Sequence, residues 1–76
     1  MKEQGDFIER IQNNKTWKKD NFHKTNGGYV EYFSADNGDK IELRTIGDSV
    51  YSKYFIDGEL QEIDWNTEEL IYFMFW

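Results

Sequence analysis

The sequence predicts an α+β domain: an antiparallel β-meander of four to five strands flanked by a short N-terminal helix and a short C-terminal helix. Three observations carry this expectation. Four turn signals fall within residues 26–59, "NGG" at 26–28, "DNGD" at 36–39, "IGDS" at 46–49 and "IDGE" at 56–59, with strand-length runs between them. A capping-box spacing stands near each end, Asp6 with Glu9 and Asn66 with Glu69. The length, 76 residues, suits one domain with a small core.

The elements follow in order. Asp6 opens a helix over 6–14, with Phe7, Ile8 and Ile11 as its apolar stripe and Asn13 and Asn14 as its end. A helix so short needs docking to survive. The segment "WKKDNFHKT" at 17–25 reads as a first strand, its lysines suiting a sheet edge. A three-residue loop at Asn26–Gly28 would set Phe22 opposite Tyr32. Strands at 29–36, 39–46, 49–56 and 59–65 complete the meander.

Asn-Gly and Asp-Gly accept positive φ and favour two-residue hairpins, which fix register. A turn at Asn37-Gly38 sets Tyr32 opposite Leu43 and places Glu31 beside Arg44. A turn at Gly47-Asp48 sets Ser52 opposite Leu43 and Glu42 beside Lys53, which in turn lies beside Glu62 across the Asp57-Gly58 turn. Opposite charges then fall together on three pairings. One face collects Val30, Tyr32, Ile41, Leu43, Val50, Tyr54, Ile56, Ile63 and Trp65 as the core. The other collects Tyr29, Phe33, Ile46, Tyr51, Phe55 and Leu60, either covered by one helix or partly exposed.

A last helix spans 67–75, with Asn66 as its cap, Glu68 and Glu69 in its first turn and a Trp65–Leu70 staple. The rival reading of "LIYFMFW" is a sixth strand. As a helix it buries Leu70, Phe73 and Met74. Ile71, Tyr72, Phe75 and Trp76 cannot all face the same sheet, which makes Phe75 and Trp76 candidates for a second contact.

Composition narrows the function. There is no cysteine and one histidine, His23, so disulfides and thiolate metal sites are excluded and no cofactor is expected. "DNGD" lacks the spaced ligands of a calcium loop and reads as a turn. No nucleophile motif accompanies His23, so an enzyme is not expected. Six Phe, five Tyr and three Trp supply core mass in place of staples. No signal-peptide pattern or membrane-length apolar run is present, so a cytoplasmic protein is expected and the Asn14-Lys15-Thr16 sequon is idle.

Charge is uneven. The net charge is -6, residues 1–28 carry six bases against four acids, and from Asp57 onward there are six acids and no base. Asp57, Glu59, Glu62 and Asp64, with Glu68 and Glu69, form an acidic group that repels nucleic acid and attracts a basic protein surface. Its bland reading is a solvated face. With Tyr51, Phe55, Phe75 and Trp76 it forms the candidate partner-binding set.

At class level this chain resembles the small acidic phage proteins that counter host defence, the anti-CRISPR and anti-restriction inhibitors, in size, acidity and aromatic, Asn/Lys/Ile-rich composition. The resemblance implies a non-enzymatic inhibitor, a DNA mimic whose carboxylates occupy the basic groove of a nuclease or CRISPR effector in the host cytoplasm. A small interaction module, or a homodimer joined through the C-terminal aromatic segment, is the alternative. Direct nucleic-acid binding through Lys15, Lys18, Lys19, Lys24, Trp17 and Phe22 ranks last, because net charge opposes it.

Overall fold

A computed structural model describes residues 4–14, 16–63 and 65–75. The chain runs α1 (Gln4–Asn13), β1 (Lys18–Thr25), β2 (Gly28–Ser34), β3 (Lys40–Ile46), β4 (Ser49–Ile56), β5 (Glu59–Gln61) and α2 (Thr67–Phe75). The strands form one antiparallel sheet in chain order, and the fold is α+β with a β-meander. Phe7 and Ile11 of α1, Leu70 and Met74 of α2, and Ile41, Leu43, Tyr54 and Ile56 of the sheet share one core. Both helices therefore lie on one side of the sheet, and the other face carries none.

Two hairpins match the expected register. Leu43 faces Ser52, Glu42 faces Lys53, and Phe55 faces Leu60. Asp57 and Gly58 both take positive φ, 52° and 82°, as a type I′ turn requires. The Asn37-Gly38 hairpin differs. Its loop has three residues, Asp36 to Gly38: the Gly38 amide donates to the Ala35 carbonyl and the Ala35 amide donates to the Asp39 carbonyl, each at 3.0 Å. Gly38 at φ 92° supplies the left-handed residue that follows the turn in such loops.

That extra residue slips β2 by one position against β3. Glu31 faces Leu43 instead of lying beside Arg44, and its carboxylate is 2.8 Å from Lys19 Nζ. Phe33 and Tyr29 turn to the helix side, while Val30 and Tyr32 move to the bare face. The first hairpin departs in the same sense: its loop is Asn26-Gly27, and Phe22 faces Glu31 instead of Tyr32. The two slips cancel for β1, so Phe22 stays in the row of Leu43. A bulge at Asp20 shifts the rest of β1.

The ends need smaller corrections. The first helix starts at Gln4, so Asp6 sits within its first turn and is not its cap. Asn14 does end it, donating from its amide side chain to the Arg10 carbonyl at 3.2 Å. Trp17 precedes the first strand and is buried, its indole donating to the Ile11 carbonyl at 3.1 Å. β5 stops at Gln61, short of residue 65. At α2, Asn66 accepts from the Glu69 amide at 2.9 Å as a true N-cap, and the Thr67 hydroxyl donates to the Val50 carbonyl at 3.2 Å. Helix, not strand, is the state of the C-terminal run. Trp65 packs edge-on against Phe73, with ring centroids 5.5 Å apart.

Asp39 ties these parts together. It is fully buried, 0% exposed, at the start of the β2–β3 return. Arg10 Nε and Nη2 donate to its two oxygens at 2.7 and 2.9 Å, and the Tyr54 hydroxyl donates at 2.9 Å. Phe7 packs edge-on against the Tyr54 ring at 5.8 Å. Burial alone would raise the Asp39 pKa, but the hydrogen bonds from Arg10 and Tyr54 outweigh it and hold the carboxyl below its ordinary 3.8. Burial and the Asp39 carboxylate push the Tyr54 hydroxyl up in turn.

A Cβ on Gly28 would overlap the carbonyl oxygen of Thr45. Gly28→Ala should therefore cost about 1–3 kcal/mol in urea unfolding, the usual range for forced overpacking. Asp39→Asn should cost about 3 kcal/mol, because it breaks a buried ion pair from one side. The sign with pH is also set: a depressed carboxyl stabilises the fold above pH 3.8 and loses that contribution as pH falls through its folded value. Wild-type stability should drop in that window, and the gap to Asp39→Asn should narrow with it.

Candidate protein-interaction surface

Register assigns the bare face residue by residue. One row holds Lys18, Ser34, Lys40, Phe55 and Leu60; the next holds Asn21, Tyr32, Glu42 and Lys53; the next His23, Val30, Arg44 and Tyr51. Ile46 follows beside Ser49. Tyr51 is 57% exposed and Leu60 58%, and Phe55 is half-buried between Lys40 and Leu60. Val30 is buried although no helix lies over it. Glu42 is buried too, opposite Lys53 and Tyr32. Burial and the hydrogen bond to Glu42 push the Tyr32 hydroxyl above its ordinary value.

The acids do not cover this face. They follow the β5 edge of the sheet. Asp57 lies in the β4–β5 turn, where its charge reaches Arg10. Glu59 faces Ile56 and so sits on the helix side, and Glu62 comes one residue after β5. Glu68 and Glu69 are exposed in the first turn of α2. The bases gather at the far edge, where β1 carries Lys18, Lys19 and Lys24 and every residue is exposed. Four strand spacings, about 19 Å, separate the two edges. The sheet thus has an acidic edge and a basic edge, with an aromatic, mixed-charge face between them.

The candidate set is divided by this arrangement. Tyr51 and Phe55 belong to the bare face, next to the β5 edge with Asp57, Glu59 and Glu62. Phe75 is exposed on α2, on the opposite side of the sheet, where its ring meets Phe33 edge-on at 5.9 Å. Asp64 and Trp76 lie outside the described residues. Sequence reasoning missed Val30, Tyr32 and His23 as members of the bare face, while Arg44 was expected there. The register slip hid Tyr32, and the His23–Tyr32 ring contact at 5.9 Å followed from it. Trp17 is buried, which removes it from any stacking surface for nucleic acid.

Among the described residues, no three His, Asp or Glu side chains converge as a metal site would require. A shallow groove beside α1, lined by Asp6, Glu9, Arg10, Asn13 and Asn37, is the cavity of note. Its arginine is already committed to Asp39. No helix among the described residues is long and apolar enough to cross a membrane. No protein-family model, curated protein or solved structure matches the chain.

Proposed function

We propose that this protein is a non-enzymatic binding protein, an inhibitor whose acidic β5 edge and adjoining aromatic face engage the basic, nucleic-acid-binding surface of a host defence protein. The observation that carries this reading is a juxtaposition. Tyr51, Phe55 and Leu60 stand partly or largely exposed on a face without helices, and Asp57, Glu59 and Glu62 lie along the β5 edge that borders it. Aromatic anchors flanked by one sign of charge fit a protein interface, in which charge steers encounter and rings hold the complex. The class-level resemblance to phage anti-defence proteins points the same way and suggests a nuclease or CRISPR effector.

The test compares wild type with Asp57→Asn/Glu59→Gln/Glu62→Gln in capture from bacterial lysate, with duplex DNA as competitor. A partner of this kind is captured by wild type, is released by DNA, and associates at least about tenfold more slowly with the variant at low salt. The difference should shrink at high salt, where screening removes long-range attraction. Phe55→Ala should act mainly by speeding dissociation. Capture that ignores the three neutralisations, salt and DNA would reduce the acids to a solubilising edge.

A further inference from the structure

We propose that the helix-bearing side carries a second and separate surface, through which two copies of this chain form a two-fold dimer: the outer stripe of α2 from each copy lies on the uncovered β1–β2 wing of the other. α2 is apolar on two sides. Leu70 and Met74 are buried, while Ile71, Tyr72 and Phe75 are exposed. The exposed positions are spaced by one, three and four residues, so they form a single outward stripe that continues one turn back to Glu68. Solvent is a poor neighbour for such a stripe.

The wing is its counterpart. The core draws on α1, α2, β3 and β4, with Trp17, Ala35 and Phe33 from the β1–β2 side, and every residue of β1 is exposed. On the helix side of the wing, Phe22 stacks with Tyr29 at 5.5 Å, and both rings remain over a third exposed. Lys19 lies 5.8 Å over the Phe22 ring and pairs with Glu31. Val50, 44% exposed, continues the row of Tyr29 and Thr45. Two strands are about 10 Å wide, the spacing at which one helix packs beside another. The wing is therefore wide enough for one further helix next to α2.

Charge selects the occupant. The helix side of the wing offers Lys24, with Lys19 already paired with Glu31, whereas α2 offers Glu68 and Glu69 and has no base in its last turn. A second copy's α2 thus brings acids and an apolar stripe to a surface that carries Lys24 and stacked aromatics. The two halves also adjoin within one chain, because Phe75 touches Phe33 and Phe33 faces Lys19. Stripe and wing side by side on one surface are what a two-fold axis needs for each to meet the other's complement and close the assembly at two copies.

Sedimentation velocity from 1 to about 200 µM tests the proposal, with circular dichroism to establish that each variant folds. Wild type should show a concentration-dependent dimer. Phe22→Ser and Ile71→Ser, both at exposed positions, should each raise the dimer Kd at least about tenfold, as truncating an interface anchor does. Tyr51→Ser on the opposite face should leave it unchanged. Lys24→Glu and Glu68→Lys should each weaken the dimer, and an equimolar mixture of the two should restore it as a heterodimer. A wild-type chain that stays monomeric throughout would overturn the proposal, as would a dimer lost with Tyr51→Ser but indifferent to Phe22→Ser and Ile71→Ser. No partner protein enters the experiment, so its outcome is independent of the binding reading above.

Discussion

Asp39 is a carboxylate with no access to water, set at the turn where β3 begins, and it is tolerable only because three donors surround it. Arg10 from α1 supplies two of them, Nε and Nη2, and the Tyr54 hydroxyl from β4 the third, while the Asp39 amide donates to the Asn37 side chain at 3.0 Å. A buried charge left without partners would cost several kcal/mol, so these groups must arrive together. That requirement places α1 at the hairpin end of the sheet, on the Tyr54 side, and aligns Phe7 and Ile11 over Ile41 and Tyr54. Such a network specifies an arrangement more than it adds net stability. In a chain without disulfides, it substitutes geometry for a staple.

From that docking the surfaces follow. With α1 committed to one side and α2 packed beside it, the other face must stay bare, and its apolar residues, Ile46, Tyr51 and Leu60, stay exposed. The same two helices are too few to cover five strands. They leave the β1–β2 wing uncovered on the helix side as well. Edge chemistry adds direction, since the lysines and the bulge of β1 discourage strand addition there while the carboxylates of Asp57, Glu59 and Glu62 mark the opposite edge. One small domain thereby presents an acidic, aromatic border on one side and a complementary helix-and-wing surface on the other.

What was legible in the sequence was local. Asn66 caps its helix because the partner amide is three residues away, and the turn at Gly47-Asp48 set its register because two residues suffice to close it. Asn37-Gly38 was ambiguous for a physical reason: a glycine with positive φ serves a two-residue loop and a three-residue loop alike. The charge pattern then corroborated the wrong choice. Glu31 beside Arg44 looked complementary, yet Glu31 is equally satisfied by Lys19 after the slip. Asp39 could not be read at all, because its partner Arg10 is 29 residues away and nothing in "DNGD" distinguishes a buried carboxylate from a solvated one. The acidic group was visible as a run, but its division among an edge, a turn and a helix start depended on where β5 stopped. Phe75 and Tyr51 were grouped together because the sequence does not say which side of the sheet a helix takes.

The central claim is that an ionised, fully enclosed Asp39 organises the domain, and carbon-13 NMR titration of its side-chain carboxyl tests that most directly. The Asp39 carboxyl should remain ionised below its ordinary 3.8, and its protonation should coincide with loss of the folded spectrum. A carboxyl that titrates at 3.8 or above, in a chain that stays folded, would contradict the claim.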